Sequence, residues 1–276
     1  MSFDKRVRFG STSTFTSGRK IRWLSILSAA WAFAVNFSRN PRGKADESEG
    51  IADAAATLPP DSDVIRVCRI LDSAGMLRRN AVVLQLGAGR GLTTIALATC
   101  GTFSTVIAVE PEPGNFRILT KRVTDNNVEH VVRTVPCAAG MIDGLATFYI
   151  NGLDSLKSSI KQKNASDVPV RIAVNTAQTI LDDARIAPYQ LGLVWMDIEG
   201  YEAMACLGLL KALWLGIPIL MVFSPDPAHP HHTAAFLRFL ATHYHRCVVF
   251  EGETARTIAL AEIPVDRVGL RILLIN

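Results

Sequence analysis

The stretch Val82-Val83-Leu84-Gln85-Leu86-Gly87-Ala88-Gly89-Arg90-Gly91-Leu92-Thr93-Thr94 joins an apolar run to a glycine-rich turn and then to a helix-forming segment. A strand, a turn with three glycines and a helix N-terminus together let the backbone come close to a ligand. The spacing is Gly-x-Gly-x-Gly, so Leu92 stands where a dinucleotide-binding turn has its last glycine. No Gly-Lys-Ser or Gly-Lys-Thr follows, which excludes a Walker phosphate loop.

Downstream of this turn, short apolar runs alternate with helical patterns, which is typical of βαβ units and a mostly parallel sheet. Strands are predicted at 81–86, 105–109, 131–135, 191–196, 217–223, 246–250 and 270–275. Helices are predicted at 64–76, 92–99, 113–125, 200–213 and 233–243. Residues 144–151 are interpreted as a short extra strand or hairpin, and 156–167 as a polar loop.

The composition supports a globular protein, because 49% of its 276 residues are hydrophobic and 20% are charged. Its cysteines form no Cys-x-x-Cys pair and no metal-ligand spacing, which excludes disulfide and zinc scaffolds. We interpret them as buried thiols of a reducing compartment: Cys68, Cys100, Cys137, Cys206 and Cys247.

The basic charge is concentrated at the N-terminus, where residues 1–44 hold nine Lys and Arg against one acid. We divide the chain into a basic arm, apolar helix and linker, 1–60, and an α/β domain, 61–276. The uncharged stretch 23–38 is shorter than the ~20 residues that cross a bilayer. Residues 21–38 are therefore interpreted as a helix at a membrane surface, a helix packed on the domain or a second subunit, or a secretory signal.

Two further strand ends carry acids. Glu110 ends the run Val106-Ile107-Ala108-Val109, about 20 residues after Gly87, where a carboxylate can accept hydrogen bonds from both ribose hydroxyls. The run Val194-Trp195-Met196 is followed by Asp197, Glu199 and Glu202, at the sheet edge where ligands bind. Glu202 fits the first turn of the next helix, whose N-terminus favours acids.

The chain resembles the FkbM-like S-adenosylmethionine-dependent methyltransferases over roughly residues 64–250. The resemblance lies in an ordered set of motifs: Leu86-Gly87-Ala88-Gly89-Arg90-Gly91, Val106-Ile107-Ala108-Val109-Glu110-Pro111, Asn126-Asn127, Phe148-Tyr149, Ser158-Ser159, Ile180-Leu181-Asp182-Asp183 and Met196-Asp197-Ile198-Glu199-Gly200-Tyr201-Glu202.

This resemblance implies an α/β fold of the class I methyltransferase type, with a Rossmann-like, seven-stranded, mostly parallel sheet and an antiparallel last strand. It implies S-adenosylmethionine as cofactor and methyl transfer to an oxygen. The cofactor contacts it suggests are Gln85, Gly87, Gly89, Gly91, Glu110, Pro111, Ala138 and Asp197. Asp197 is the first candidate for a general base and Glu199 the second.

Three departures from the family pattern leave alternatives open. Gln85, Met196 and Val222 stand where such families commonly have an acid, a lysine and a glutamate. They keep open a catalytically impaired, methyltransferase-like binding or scaffold protein. The glycine turn with Glu110 alone would also permit an NAD(P)-dependent oxidoreductase.

The acceptor is expected to be a small molecule or a saccharide, because no aromatic-and-basic pattern for nucleic acid lies at the reactive edge. No metal is predicted, since Asp197 and Asp226 alone are a weak basis for Mg²⁺.

Ser158 and Ser159 are interpreted as part of a lid or as a charged surface loop. A cytoplasmic location follows from the cofactor. His229 and His232 are interpreted as caps of the last predicted helix, and His243 and His245 as residues at its end. Catalysis by a histidine at this edge, where His231 and His232 lie, is the alternative.

Overall fold

A computed structural model describes the α/β domain, with residues 62–152, 154–160, 162, 164–198, 200–225 and 229–276. The predictions for the basic arm and for residues 21–38 therefore lie outside the described residues. Within the described part, no helix is long and apolar enough to cross a membrane.

The described residues form eleven strands and seven α-helices. The strands are β1 Val82–Leu86, β2 Thr105–Val109, β3 Val132–Val135, β4 Ala138–Ala139, β5 Gly144–Ile150, β6 Val168–Asn175, β7 Leu191–Met196, β8 Ile219–Phe223, β9 Arg246–Glu251, β10 Thr254–Ala259 and β11 Leu270–Ile275. The helices are α1 Asp63–Ser73, α2 Leu92–Thr99, α3 Pro113–Asp125, α4 Ala177–Asp183, α5 Glu202–Leu207, α6 Leu210–Trp214 and α7 Pro230–Leu240.

The main sheet has the strand order β10-β9-β11-β8-β7-β1-β2-β3. Strands β3, β2, β1, β7 and β8 are parallel, and β11 is inserted antiparallel between β8 and β9. This confirms the mostly parallel Rossmann-like sheet and its antiparallel last strand. The sheet has eight strands and not the predicted seven, because β10 folds back on β9 as an edge hairpin.

Side chains that alternate along the strands build a core on each face of the sheet. On one face, Val67 and Leu71 of α1 and Leu97 of α2 pack with Val83 and Trp195. The other face is covered by α4, α5, α6 and α7. A second, three-stranded sheet of order β4-β6-β5 lies beside the main one. The resulting α/β/α layers bring the ends of β1, β2 and β7 to one edge.

Two sequence predictions about this fold need correction. The predicted helix 200–213 is interrupted between α5 and α6, because Leu209 leaves helical geometry with φ −117° and ψ 18°. Gly208 next to it packs against the backbone of Gly140. A Cβ on Gly208 would lie 2.1 Å from the Gly140 carbonyl oxygen. Of the five cysteines, Cys100 is only half-buried, and it ends α2 as its C-cap.

Candidate functional site

The glycine turn follows β1 and takes its shape from three left-handed residues. The φ angles of Gly87, Gly89 and Gly91 are +81°, +54° and +90°, a region that L side chains rarely adopt. A Cβ on Gly87 would lie 1.9 Å from the backbone oxygen of Asp197, so the turn passes directly against the end of β7. Gly91 is the N-cap of α2, where a Cβ would meet Leu119 of α3 at 2.8 Å.

Glu110 is a buried acid at the end of β2, with only 5% of its surface exposed. One carboxylate oxygen accepts the Gly89 N–H at 2.8 Å and the other accepts the Glu112 N–H at 2.9 Å. Burial raises the pKa of this carboxyl, and the two backbone hydrogen bonds act in the opposite direction. A carboxylate has about four acceptor positions, so both oxygens can still accept from a ligand.

A pocket of about 110 Å³ opens beside the glycine turn and Glu110. Five of the predicted cofactor residues line it: Gly87, Gly89, Glu110, Pro111 and Ala138. Ala138 lies on β4, so the small sheet forms one wall of the pocket. The structure thus brings together residues from three parts of the chain that are up to 51 positions apart, from Gly87 to Ala138.

Three other predicted site residues lie in the described chain but do not line the pocket. Gln85 is buried within the sheet, where its Oε1 accepts the Thr94 hydroxyl at 2.7 Å, and it does not line the pocket. Gly91 is the N-cap of α2 and does not line the pocket. Asp197 follows β7 with an exposed side chain, next to Ile198, which does line the pocket. Glu199 lies outside the described residues.

Several lining residues were not expected from the sequence. Asn115, Phe148, Ser155, Leu156 and Tyr201 contribute to the walls. Tyr201 is the N-cap of α5, and burial raises the pKa of its hydroxyl, so it stays a hydrogen-bond donor at neutral pH. Asn115 and Ser155 are separated by 40 positions, and no local pattern links them. The family motif Phe148-Tyr149 was the one sequence signal that included Phe148.

The two serines proposed for a lid are on the wall of the pocket. Ser158 and Ser159 both line it. The Ser158 hydroxyl oxygen accepts the Asn151 N–H at 3.0 Å, and Ser159 pairs with Tyr149 of β5. The serines therefore belong to a backbone segment that is attached to the small sheet.

The histidines lie apart from the pocket. The rings of His229, His231 and His232 contact one another around the start of α7, with centroids 4.2 to 6.0 Å apart. His229 occupies the N-cap position without a side-chain capping bond, contrary to the capping role we considered. Among the described residues, no three His, Cys, Asp or Glu side chains come together to hold a metal ion. Asp226 lies outside those residues.

A parallel sheet with a glycine turn and a buried acid at its ligand-binding edge defines the class of nucleoside-binding α/β proteins. Residues 85–241, more than half of the chain, match the family model of the methyltransferase FkbM domain. The chain therefore belongs to the FkbM methyltransferase family, as its motifs indicated.

Solved structures similar to the chain include the methyltransferase FkbM from Methylobacillus flagellatus, at 20% identity and a TM-score of 0.46. That match covers 73% of this chain and 45% of the other, so the chain spans less than half of that protein. A SAM-dependent O-methyltransferase from Thermotoga maritima is 12% identical, with 81% and 67% covered and a TM-score of 0.38.

A precorrin-6y C5,15-methyltransferase from Geobacter metallireducens is also 12% identical, with 79% and 91% covered and a TM-score of 0.41. A search of curated proteins finds no match to the chain.

Proposed function

We propose that the protein is an S-adenosylmethionine-dependent O-methyltransferase that acts on a hydroxyl group of a small molecule or saccharide. The observation that carries this proposal is Glu110, a buried carboxylate on the wall of a pocket next to the glycine turn, in a chain of a methyltransferase family. Family membership favours methyl transfer over the hydride transfer of an oxidoreductase.

The described residues fit this cofactor in three respects. Glu110 offers acceptor positions for a ribose diol, which has two donors to place. Gly89 presents bare backbone to the pocket, where a Cβ would already meet Leu156 at 3.1 Å. Cys137, Ala138 and Ala139 supply small side chains along the adjacent wall, which suits a flat base.

When bound, S-adenosylmethionine supplies a methyl group that its sulfonium makes transferable. The chain then has to hold the acceptor hydroxyl in line and keep water away. Asp197 is our candidate to accept the hydroxyl proton, because it leaves β7 next to the pocket residue Ile198. Glu199 remains the second candidate.

The pocket wall that includes Ile198 favours a small, uncharged acceptor. Ile198 and Tyr201 contribute apolar surface, and Ser158 and Ser159 contribute hydroxyls. None of these four side chains is charged at neutral pH. Apolar faces with a few hydroxyl partners suit a sugar ring or a similar polyol. Because the cofactor is a cytoplasmic metabolite, we place the enzyme in the cytoplasm.

The basic arm is proposed to contact an anionic membrane surface, since nine Lys and Arg flank an apolar stretch within residues 1–44. Cosedimentation of the full chain with vesicles containing phosphatidylserine tests this. Binding that disappears at high salt supports the contact, and equal binding to neutral vesicles contradicts it.

Methyl transfer is tested by incubating the protein with radiolabelled S-adenosylmethionine and a panel of phenols, sugars and hydroxy acids. We expect label in an alkali-stable ether product and a large loss of kcat in Asp197→Asn, because an amide cannot accept the hydroxyl proton. Cofactor binding without transfer to any acceptor would instead support the scaffold alternative, for which Gln85 and Met196 are the sequence reasons.

A further inference from the structure

One backbone segment, residues 154–160, closes the pocket from outside, and we name it the strap. It contains a short 3-10 turn at Ser155–Lys157. Its pocket-lining residues are Ser155, Leu156, Ser158, Ser159 and Ile160. The Leu156 side chain lies 3.1 Å from where a Cβ of Gly89 would stand, so it packs on the glycine turn. The strap therefore forms a wall of the pocket next to the glycine turn.

One side of the strap is attached to the small sheet. The Tyr149 N–H donates to the Ser159 oxygen at 2.7 Å, and the Ser159 N–H donates to the Tyr149 oxygen at 3.0 Å. The Asn151 N–H donates to the Ser158 hydroxyl oxygen. These bonds continue the β5 hairpin, so this side of the strap can act as a hinge.

The opposite side is held by side chains from α3 and the glycine turn. The Ser155 hydroxyl donates to Asn115 Oδ1 at 2.8 Å, and Asn115 Nδ2 donates to the Ser155 carbonyl oxygen at 3.2 Å. Arg90 Nη2 donates to the Ser155 hydroxyl oxygen at 3.2 Å. We call the reciprocal pair Asn115–Ser155 the clasp.

Asn115 is itself fixed by the acids behind the pocket. It is 2% exposed, and its backbone N–H donates to the Glu112 carboxylate. The Glu112 N–H in turn donates to Glu110. The clasp therefore links the strap to the same rigid β2–α3 connection that positions Glu110, and opening the strap on this side requires both clasp bonds to break.

We propose that Asn115 and Ser155 are positioning residues that keep the strap closed and so set the rate at which a ligand leaves the pocket. This inference rests on the proposed function, because the ligand is S-adenosylmethionine before the reaction and S-adenosylhomocysteine after it. Lid opening and product release commonly limit turnover in enzymes that close over their ligands. Neither residue contacts the transferred methyl group in this account.

The test measures S-adenosylhomocysteine affinity by calorimetry and its dissociation by rapid chase with excess S-adenosylmethionine. Asn115→Ala and Ser155→Ala should each speed dissociation about fivefold to tenfold. Asn115→Ala removes both clasp bonds, whereas Ser155→Ala leaves the bond from Asn115 Nδ2 to the Ser155 carbonyl oxygen. The double variant, which also lacks the Arg90 bond, should therefore release the ligand at least as fast as Asn115→Ala. Ser155→Thr keeps the hydroxyl and should restore slow release.

Thr120→Ala is the matched control, since Thr120 also lies on α3 but its hydroxyl donates only to the Phe116 carbonyl, away from the pocket. It should release ligand like the wild type. Hydrogen exchange at the amides of Leu156 and Ser158 should be faster in both clasp variants than in the wild type and Thr120→Ala.

Failure of the clasp and failure of the proposed function give different results. Wild-type protein that binds neither ligand would overturn the proposed function and this inference with it. Wild-type binding with unchanged dissociation in Ser155→Ala would overturn the clasp alone. A lower Tm with unchanged dissociation would show that Asn115 is merely structural. If Asn115→Ala fails to fold, the comparison of ligand dissociation from Ser155→Ala and Ser155→Thr decides whether the clasp controls release.

Discussion

At the scale of single residues, Glu110 determines what the pocket can hold. The carboxylate is buried, and its pKa is raised by that burial. Since the folded state binds the Glu110 proton more tightly than the unfolded chain does, ionised Glu110 reduces stability at neutral pH. That cost disappears as the pH falls through the folded pKa. A buried carboxylate on the wall of a pocket is a candidate for contact with a ligand.

Ligand affinity should therefore depend on Glu110 ionisation. Protonation removes an acceptor for the ribose diol, so S-adenosylhomocysteine affinity should fall as the pH is lowered from neutral through the raised pKa of Glu110, and Glu110→Gln should flatten that dependence. Calorimetry across this pH range measures the S-adenosylhomocysteine affinity of the wild type and of Glu110→Gln. Equal pH dependence in wild type and Glu110→Gln would show that another group controls binding.

Gly87 should tolerate no side chain. Gly87→Ala adds a Cβ 1.9 Å from the Asp197 oxygen at a φ of +81°, and we expect a loss of about 3 kcal/mol or more. Gly101→Ala is the control, since Gly101 also has a positive φ but has open space around it, and should cost about 1–2 kcal/mol. Urea unfolding measures the free energy of unfolding of both variants. Equal losses would mean that contact with β7 is unimportant.

Sequence reasoning found the residues of the site that stand at strand ends and in the glycine turn. Glu110 was predictable because a strand pattern ended in an acid about 20 residues after Gly87, the spacing expected for a carboxylate that binds a ribose. Asn115 and Ser155 were not, since their pairing depends on how α3 approaches the strap. The hydrogen bond from Thr94 to Gln85 could likewise not be predicted, because a buried polar pair leaves no periodic pattern in the sequence.

At the scale of elements, the break between α5 and α6 coincides with a close backbone approach between Gly208 and Gly140. Helix propensity alone favours Gly208→Ala by up to about 1 kcal/mol. Because its Cβ would lie 2.1 Å from the Gly140 oxygen, we expect instead a net loss of about 2 kcal/mol. Thermal unfolding measures this, with Gly144→Ala in open space as control. A stabilised Gly208→Ala would contradict the packing.

The strands that sequence predicted well are those buried on both faces. All residues of β1 and β7 are buried, which gives the continuous apolar runs of a central parallel strand. Two of the strands that were missed, β6 and β10, are largely exposed or half-buried. In β10 only Ile258 is buried, and its pairing with β9 holds it at the sheet edge. Local hydrophobicity carries no signal for such a strand.

At the scale of the whole molecule, the sheet gathers the site at the carboxyl ends of β1, β2 and β7, and the small sheet with the strap closes it. The main sheet was predictable from alternating strands and helices, since right-handed crossovers leave few arrangements. The β4-β6-β5 sheet was not, because β4 has two residues and pairs with a strand more than 30 positions away.

The most direct test is calorimetric titration of the whole protein with S-adenosylmethionine, S-adenosylhomocysteine and NADH, next to Glu110→Ala. We expect micromolar binding of the first two ligands, about −8 kcal/mol, and none of NADH. Glu110→Ala should weaken that binding about tenfold or more, because it removes charge-assisted hydrogen bonds. Wild-type protein that binds neither S-adenosyl compound, or binds NADH in preference, would contradict the proposed methyltransferase.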